Sequence, residues 1–378
     1  MADLEHVPDG ESERIDHIVE LTGKQLDRRY ASNPPFLRGV YPKDHGCVEA
    51  TVTVVEDLAN EYRVGVFANP GQQFQAWIRF SNADVNPKNP DSSLKSSVVV
   101  HGSRGMAVKI MDVSGSRLMP DDGECTQDFL MINQPVFAFA NVEDYEALSG
   151  VLLANEDKAE GFFQRLQSPD AAVKGRAART AGIIKRITSA SMTPKPGAFQ
   201  SPPLSPLDNE YFGAAPFLFG EGRVMRFKAK PVSPMSGDLT EEMINNASYL
   251  SAALHKRLTE GDGQDVEFEF QVQVRSAESL AGKIDTHIED VCFDWDEEEH
   301  PSNRDTEKYP FVTVAKITIP PQDCRTSERK ELCESLVFSP WHGLIEHRPL
   351  GGINRLRRAV YKESARKRAR VQPQRAAE

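Results

Sequence analysis

The amino-acid sequence predicts an α+β fold with a largely antiparallel sheet or barrel. Its strand-like segments are short and fall into two groups, with helical segments between and after them. They do not alternate one by one with helices, as the strands of parallel βαβ proteins do. The segment DVEFEFQVQVR also alternates strictly between polar and apolar residues, which is the pattern of a half-buried antiparallel strand.

The first half of the chain begins with a helix and continues with strands. Apolar residues at helical spacing predict a helix over residues 12–31, and the SNPPF segment ends it. β-Branched and aromatic residues then predict strands in CVEATVTVVED, RVGVFANPG, FQAWIRFSNAD, SSVVVHG and RGMAVKIMDV. The apolar run QDFLMINQPVFAFAN predicts a further strand that ends in a turn near Pro135.

The second half begins with a block of helices, predicted over residues 142–155, 158–167 and 170–189. The Pro-rich segment TPKPGAFQSPPLSPLDNEYFGAAPF follows and predicts a long crossover on the surface. Strands are then predicted in RVMRFKAKPV, DVEFEFQVQVR and FVTVAKITIP, with a helix over 240–259 before the middle one. Helices near 327–336 and 352–368 close the chain.

Composition and charge argue against several classes of protein. The net charge of −11 over 378 residues would repel the phosphates of a nucleic acid. No apolar run reaches the roughly 18 residues of a membrane span, and the polar N-terminus does not resemble a signal peptide. The five cysteines are odd in number and form no C-x-x-C motif, which fits a reducing compartment. We therefore expect no nucleic-acid partner, no membrane span and a cytoplasmic location.

Sequence motifs for nucleotide binding and for one class of hydrolase are also missing. Neither G-x-G-x-x-G nor G-x-x-x-x-G-K-[ST] occurs, which disfavours a nucleotide cofactor. The G-x-S-x-G motif of α/β-hydrolases does not occur either. Any catalytic chemistry must therefore come from other residues.

The segment GGINRLRRAVYKESARKR predicts a cationic closing helix with one unusual pair. Arg357 and Tyr361 lie four residues apart and therefore share a helix face. One interpretation is a surface Arg stacked on a Tyr ring. The other is that the guanidinium favours the ionised phenolate, an oxygen ligand suited to ferric iron, since Tyr ligates haem iron in one group of enzymes. The second interpretation requires a haem pocket in the rest of the chain.

Further candidate residues lie close to the predicted strands. Arg38 and Tyr41 precede the first strand in FLRGVYPKDHG, where a surface cation and a turn aromatic are the ordinary interpretations. His45 in the same segment is either a turn residue or a catalyst. Arg79 lies within an apolar strand, so it must face solvent or pair with an anion such as a haem propionate. Asn133 precedes Pro135 closely and is either a buried turn amide or a site residue.

Two polar segments near the end of the chain have both an ordinary and a functional interpretation. The segment WHGLIEHRPLGG contains His342, His347 and Arg348, which we interpret as a polar rim before the closing helix. The segment HIEDVCFDWDEEEHPSNRD is interpreted as a solvated acidic loop, with a metal site as the alternative.

Four segments, taken in order, resemble the catalase superfamily: RFSN, RGMAVKI, QDFLMINQPVFAF and RRAVY. The resemblance runs from about Phe36 to Tyr361 and is strongest to a short branch of catalase-like haem proteins. That branch includes the catalase-related peroxidases and the haem domain of coral allene oxide synthase. The late segments VEFEFQVQVRSAES, VCFDWDEEEHP, TVAKITIP and PLGGINRLRRAVY resemble the same branch. The resemblance implies a catalase-like antiparallel β-barrel core with a surrounding helical region and an N-terminal arm.

The resemblance also implies a haem b cofactor and gives roles to individual residues. Tyr361 matches the proximal ligand of the haem iron, and Arg357 matches the Arg that keeps this ligand ionised. Arg38 and Arg79 match Arg residues beside the haem propionates. Three further haem contacts are expected. They are Val40 before Tyr41, Ser81 as the Ser of R-F-S, and Phe137 as the aromatic residue over the distal face.

Two positions depart from the pattern of the family. Its distal motif R-x-x-H places Tyr41 where the distal His is expected, and His45 lies four residues further on. The distal Asn of the family falls on Ile132, with Asn133 one position over. Tyr41, His45 and Asn133 are therefore the candidate catalytic residues, and we expect weak dismutation of hydrogen peroxide.

The sequence thus predicts a haem b protein that acts on hydrogen peroxide or an organic, fatty-acid hydroperoxide at a Tyr-ligated ferric haem. The alternatives are a non-catalytic haem-binding or haem-sensing protein and a haem-free carrier of oxidised lipid. The expected parts are an N-terminal helical arm over 1–35, a haem domain over 36–368 and a basic disordered tail over 369–378. The arm is a candidate for self-association into a homo-oligomer.

Overall fold

The computed structural model describes residues 4–30, 37–83, 103–122, 124–189, 203–235, 237–246, 248–261, 263–276 and 309–369, together with residues 289, 291, 292 and 295. Within these residues the fold is α+β, and an antiparallel barrel forms its centre. The α+β prediction is therefore confirmed.

Nine strands of the described chain form one antiparallel sheet. They are β1 (Lys43–Val54), β2 (Gln73–Asn82), β3 (Arg104–Ile110), β4 (Gln127–Ile132), β5 (Tyr211–Phe212), β6 (Phe217–Leu218), β7 (Arg223–Pro231), β8 (Val266–Ser276) and β9 (Val312–Ile319). Their order in the sheet is β5-β4-β3-β2-β1-β9-β8-β7-β6. The short strand β5 pairs with both β4 and β7, so eight strands close a barrel and β6 extends the sheet beside β7.

Side-chain alternation separates the barrel interior from its outer face. On β2, the side chains of Phe74, Ile78 and Phe80 join the main core. Arg79 and Ser81 alternate with this set and therefore point to the other face. The interior is filled by large apolar side chains, among them Phe67, Phe129, Phe217, Phe219, Phe227, Phe268 and Phe270. A close-packed interior of this kind makes the barrel wall a firm support for groups on its outer face.

Seven α-helices of the described chain surround the barrel. They are α1 (Glu11–Tyr30), α2 (Val142–Ala154), α3 (Ala171–Ser189), α4 (Glu241–Asn245), α5 (Tyr249–Thr259), α6 (Ser327–Ser335) and α7 (Gly352–Ala369). Helix α1 packs along α2 and α7, and its ion pairs include Arg14–Glu146 with α2, Asp27–Lys367 with α7 and Arg28–Asp157 with the segment after α2. The N-terminal segment thus packs on its own chain, and self-association through it stays a prediction.

Most of the predicted elements are confirmed, with boundaries that differ by a few residues. The helix predicted over 158–167 is a 3₁₀ helix over Glu160–Gln167, and the one over 240–259 is divided into α4 and α5. The strand predicted in RVGVFANPG is wrong, because two short 3₁₀ turns replace it and Gly65 there adopts a φ of 54°. The predicted strand SSVVVHG lies outside the described residues, as does most of the acidic segment near residue 295.

Strands β5 and β6 were not expected from the sequence. Each contains two residues, which is too short for an alternating pattern to be recognised. Closure of the barrel depends on β5, because Ile132 pairs with Phe212 on one side and Tyr211 pairs with Ala229 on the other.

His347 is buried among the aromatic residues of the barrel. It is fully excluded from solvent, its ring centroid lies 5.4 Å from that of Phe67, and its Nε2 accepts a hydrogen bond from the backbone N–H of Val66 at 3.2 Å. Burial lowers the pKa of His347 to about 4. The polar rim predicted around this residue is therefore wrong for His347, which is a core residue.

Acid should destabilise the fold through this histidine. A His in the unfolded chain has a pKa of roughly 6.5, so it binds a proton below that pH. The folded His347 binds a proton only when the pH falls to about 4, so the unfolded state is favoured between these two values. The free energy of unfolding should thus fall from pH 6.5 towards pH 4, by at most on the order of 3 kcal/mol for this residue. Denaturant unfolding of wild type and His347→Gln at pH 7 and pH 4.5 should show a smaller loss in the variant.

The exposed residue His6 provides the matched control, because His6→Gln removes an imidazole that stands in solvent. An equal acid-induced loss of stability in wild type and His347→Gln would contradict the prediction.

Candidate functional site

A cavity lies between the outer face of the barrel and α7. Strands β2 to β4 and the segment before β1 form one wall, and α7 forms the other. The empty space of the cavity, together with the open solvent at its mouth, is about 1110 Å³. Most of the lining side chains are apolar, and they include Ala107, Leu130, Ile132, Phe137, Phe338, Leu356 and Val360. The cavity therefore has the character of a pocket for a largely apolar ligand.

One face of α7 lines the cavity along most of the helix. Its lining residues recur at spacings of three and four, as one helix face requires: Ile353, Leu356, Arg357, Val360, Tyr361, Ser364, Ala365 and Arg368. The helix starts after Gly351, whose φ is 86°, and its last turn is basic, which suits the negative end of a helix dipole. The sequence pattern of α7 thus puts both apolar and cationic groups on the cavity wall.

Arg357 and Tyr361 meet on this helix face, as the four-residue spacing predicts. The Cζ atom of Arg357 lies 5.5 Å from the centroid of the Tyr361 ring. Arg357 also donates a hydrogen bond from Nη1 to Oδ1 of Asn354 at 3.0 Å. Asn354 is buried and donates to the carbonyl oxygens of Pro216 and Leu350, so its own position is determined. The hydroxyl of Tyr361 makes no hydrogen bond with a described residue and remains available to a ligand.

Tyr41 lies on the barrel wall of the cavity in a backbone conformation that is uncommon for its type. Its φ is 54°, in the left-handed region. The ring lies against Gly105, where an added Cβ would come within 3.0 Å of Tyr41 Cδ1 and 2.9 Å of Ser81 Oγ. The Tyr41 hydroxyl is 2.5 Å from Ser103 Oγ, and Ser103 donates to Oε1 of Gln134 at 3.4 Å. Either hydroxyl can be the donor of the bond between Tyr41 and Ser103.

Burial controls the protonation of Tyr41. Removal from solvent raises the pKa of its phenol well above the ordinary value of roughly 10, and this outweighs the opposing effect of the Ser103 hydrogen bond. Tyr41 is therefore a neutral phenol at physiological pH, and its hydroxyl is hydrogen-bonded to Ser103.

Three arginines line one end of the cavity: Arg38, Arg79 and Arg368. Arg38 donates two hydrogen bonds of 2.9 Å to the carboxylate of Glu334 and two more to the carbonyls of Cys333 and Leu336. Arg368 donates to the carbonyl of Glu334 at 3.0 Å, and its buried Nε has no hydrogen-bond partner among the described residues. Burial lowers the pKa of Arg368 to about 10 and also lowers that of Arg38. This end of the cavity is cationic and suited to an anionic group.

Arg79 connects the cationic end to the segment that carries Tyr41. It is 3% exposed and donates to the backbone carbonyls of Tyr41 at 3.1 Å and Pro42 at 3.4 Å, while its Nε lies 3.5 Å from Asp44. Burial alone would lower the pKa of Arg79, but Asp44, Glu334 and two nearby cysteines together outweigh it and the pKa is raised. Arg79 therefore stays charged and holds the Tyr41 backbone in place.

His45 and Asn133 are not among the described residues that line the cavity. His45 occupies the bulge between Asp44 and Gly46 on β1, and its Nε2 lies 2.9 Å from Oδ1 of Asn82. Burial lowers the pKa of His45 to about 3, so it is neutral at physiological pH. Asn133 accepts a hydrogen bond from the backbone N–H of Arg104 at 2.8 Å.

The other expected haem contacts do line the cavity, and so does a residue not expected there. Val40, Ser81 and Phe137 are lining residues, as is Ile132 at the position matched to the distal Asn. Tyr145 of α2 was not predicted, because nothing in its local sequence marks it.

Two residues of α7 that sequence reasoning missed carry a recognisable signal. Arg368 lies seven residues after Tyr361, two turns along the same face. Asn354 lies three residues before Arg357, so helical spacing also places it within reach of the guanidinium.

The closed barrel with its surrounding helices is a catalase-like fold. The structure is similar to a fungal catalase (TM-score 0.64, 14% identity), to catalase A from Saccharomyces cerevisiae (0.61, 16%) and to a bacterial catalase (0.60, 15%). These matches cover 92%, 90% and 90% of this chain and 62%, 62% and 59% of the respective catalases. The chain therefore spans about three fifths of the length of these proteins.

Comparison by sequence gives no such relationship. No protein-family model matches the chain, and no curated protein matches it. The described residues contain no helix with the length and hydropathy needed to cross a membrane.

Proposed function

We propose that this chain is a cytoplasmic haem b protein that converts peroxides, with an organic hydroperoxide preferred over hydrogen peroxide. The observation that carries the proposal is the cavity in which Tyr361, stacked beneath Arg357, faces an apolar wall of the barrel. A phenol with an available oxygen and an adjacent cation suits ferric iron. The catalase-like fold supports the same assignment.

The cavity fits a haem in its charge distribution and in its apolar lining. A haem is a flat apolar ring with two carboxylates at one edge. The apolar lining would hold the ring, and the cationic end formed by Arg38, Arg79 and Arg368 would face the carboxylates. The partnerless Nε of Arg368 is a buried donor, and a carboxylate oxygen would satisfy it. Arg38 would contribute mainly charge, because Glu334 and two carbonyls already use its donors.

The groups on the barrel wall define what the site does to a peroxide. Bound haem would supply the redox and Lewis-acid chemistry that acts on the O–O bond. The described lining contains no His, Asp or Glu, so no side chain there is a general base at neutral pH. Tyr41 is a neutral phenol at physiological pH, so it does not take a proton from a ligand.

An organic hydroperoxide suits this wall better than hydrogen peroxide does. Dismutation requires the proton of the peroxide to be taken up and returned, and a positioned base contributes about 10²–10⁴-fold to such a step. Rearrangement of a hydroperoxide needs no base of this kind, and its hydrocarbon chain would be stabilised by Leu130, Ile132 and Phe338.

The proposal is tested by reconstituting the purified protein with haem and measuring both activities. We expect a Soret band that saturates with added haem, fast consumption of a fatty-acid hydroperoxide and slow release of oxygen from hydrogen peroxide. A protein without a Soret band would contradict the haem assignment and favour the haem-free lipid carrier. A haem-loaded protein that is inert towards both substrates would favour a binding or sensing role, which the lack of a base in the lining also fits.

A further inference from the structure

Arg355 lies on α7 but contacts the N-terminal segment, residues 4–11, instead of the cavity. It is not among the described residues that line the cavity. Its Nε and Nη2 atoms donate to the two carboxylate oxygens of Glu11 at 2.6 and 3.0 Å, and its Nη1 donates to Oε1 of Glu5 at 2.6 Å. The carbonyl of His6 accepts a further hydrogen bond from Nη2 at 3.0 Å. The N-terminal segment is thus bound to the first turn of the helix that carries the proposed iron ligand.

The same segment also holds the residue from which α7 begins. Oε1 of Glu5 accepts a hydrogen bond from the backbone N–H of Gly351 at 2.9 Å, and the other carboxylate oxygen pairs with Arg348. Glu5 therefore places a negative charge at the positive end of the helix dipole. Glu11 approaches the helix so closely that a Cβ added at Gly352 would lie 2.9 Å from its Oε2.

These contacts are largely removed from solvent. The side chain of Glu11 is 5% exposed, and those of Glu5 and Arg355 are 13% and 19% exposed. Leu4 packs against a small hydrophobic cluster that includes Leu350, which anchors the segment on this side of α7. Loss of the guanidinium would leave two carboxylates side by side in a partly buried place, which costs more than loss of an exposed ion pair.

A separate contact holds the first turn of α7 from another direction. Asn354 donates to the carbonyl oxygen of Pro216, next to β6, and accepts a hydrogen bond from Arg357. Tyr361 lies six residues after Arg355, about 9 Å along the helix. Because the helix between them is continuous, a shift or rotation of its first turn would also move the Tyr361 oxygen.

We propose that Arg355 and Glu5 are positioning residues for Tyr361, which hold the start of α7 so that the phenol oxygen meets the iron of a bound haem. The proposal rests on the haem function proposed above and deepens it by naming the groups that orient the iron ligand. Groups that orient a metal ligand without touching the metal typically contribute about 10–100-fold to metal affinity. Arg355 acts through the helix and not through a direct hydrogen bond, so we expect the lower end of this range.

Haem titration of purified variants tests the proposal. Arg355→Leu should lower haem affinity by about 10-fold and alter the ferric spectrum. Arg355→Lys retains a cation between the carboxylates and should recover part of the loss. Glu5→Gln keeps the size of the side chain and removes its charge, so it should lower haem affinity with less disturbance to the fold. Arg366→Leu, on the same helix, removes only an exposed ion pair with Glu363 and is the matched control.

The Tyr361→Phe background separates a positioning role from a general structural one. Without the phenol oxygen there is no ligand to position, so adding Arg355→Leu to Tyr361→Phe should lower haem affinity little further. A purely structural role would give the same loss in both backgrounds. Thermal unfolding of the haem-free proteins measures how far each variant destabilises the fold, and Glu5→Gln provides the same comparison if Arg355→Leu does not fold.

The possible failures are distinguishable. A wild-type protein with no Soret band overturns the proposed function and, with it, this inference. A normal Soret band with wild-type haem affinity in both Arg355→Leu and Glu5→Gln overturns the inference alone. Equal losses in the wild-type and Tyr361→Phe backgrounds, or a loss in Arg366→Leu as large as that in Arg355→Leu, also overturn it.

Discussion

Replacing Tyr361 with Phe is expected to give a protein that retains little haem or has an altered ferric spectrum. The substitution removes only the phenol oxygen, which makes no hydrogen bond to a described residue, so the fold should be little affected. The ring would still lie beside the guanidinium of Arg357, 5.5 Å from its centre in the wild type. Absorbance spectra after haem reconstitution, with thermal unfolding of the haem-free protein, separate loss of the axial ligand from loss of structure.

A pair of neighbouring arginine variants shows whether the charge on Tyr361 matters. Arg357→Leu removes the cation that lies beside the ring and should weaken haem binding, because a Tyr361 oxygen bound to iron would lose its neighbouring positive charge. Arg358→Leu is the matched control, since Arg358 follows on the same helix but is exposed and stacks on Trp341 at 4.9 Å. We expect Arg358→Leu to retain the wild-type spectrum.

Two results would contradict the proximal assignment. An unchanged ferric spectrum in Tyr361→Phe would mean that another group ligates the iron. Equal losses of haem in the two arginine variants would mean that α7 responds to any loss of charge, so that Arg357 has no special role.

The fold was predictable from the sequence where an element is long enough to show a period. Strands β1 to β4 and β7 to β9, and the closing helix, have clear patterns of alternation or helical spacing. Barrel closure was predicted only through family resemblance, because β5 has two residues and its pairings with β4 and β7 are long-range. Local patterns contain no information on such pairings.

The candidate site was predictable where its residues share one element. Helical spacing relates Arg357 to Tyr361, and the same spacing extends to Asn354 and Arg368. Tyr145 comes from a different helix, and only the packing of α2 against α7 brings it to the cavity. The buried location of His45 was not predictable either, because the bulge that turns it from the cavity is a feature of strand pairing.

Replacing Tyr41 with His is expected to raise the dismutation of hydrogen peroxide by up to about 100-fold. The new side chain is compatible with the position, because His tolerates the left-handed φ of 54° better than most residues do. A His titrates near roughly 6.5 and can take and return a proton, whereas the buried phenol of Tyr41 stays neutral. The expected gain is at the lower end of the 10²–10⁴-fold range for a positioned base, since Ile132 provides no amide to orient the peroxide.

His45 is the competing candidate for this base, and a second variant separates the two. His45→Gln keeps a hydrogen-bonding group beside Asn82 but removes the imidazole. We expect it to leave oxygen release from hydrogen peroxide unchanged, because His45 does not line the cavity and its pKa of about 3 reflects burial within the protein. Oxygen-electrode assays of the wild type and the two variants, each normalised to haem content, give the comparison. Robust wild-type activity that is abolished in His45→Gln and not raised in Tyr41→His would assign the base to His45. Raised activity in Tyr41→His together with unchanged activity in His45→Gln would show that the lack of an imidazole at position 41 limits the dismutation of hydrogen peroxide in this cavity.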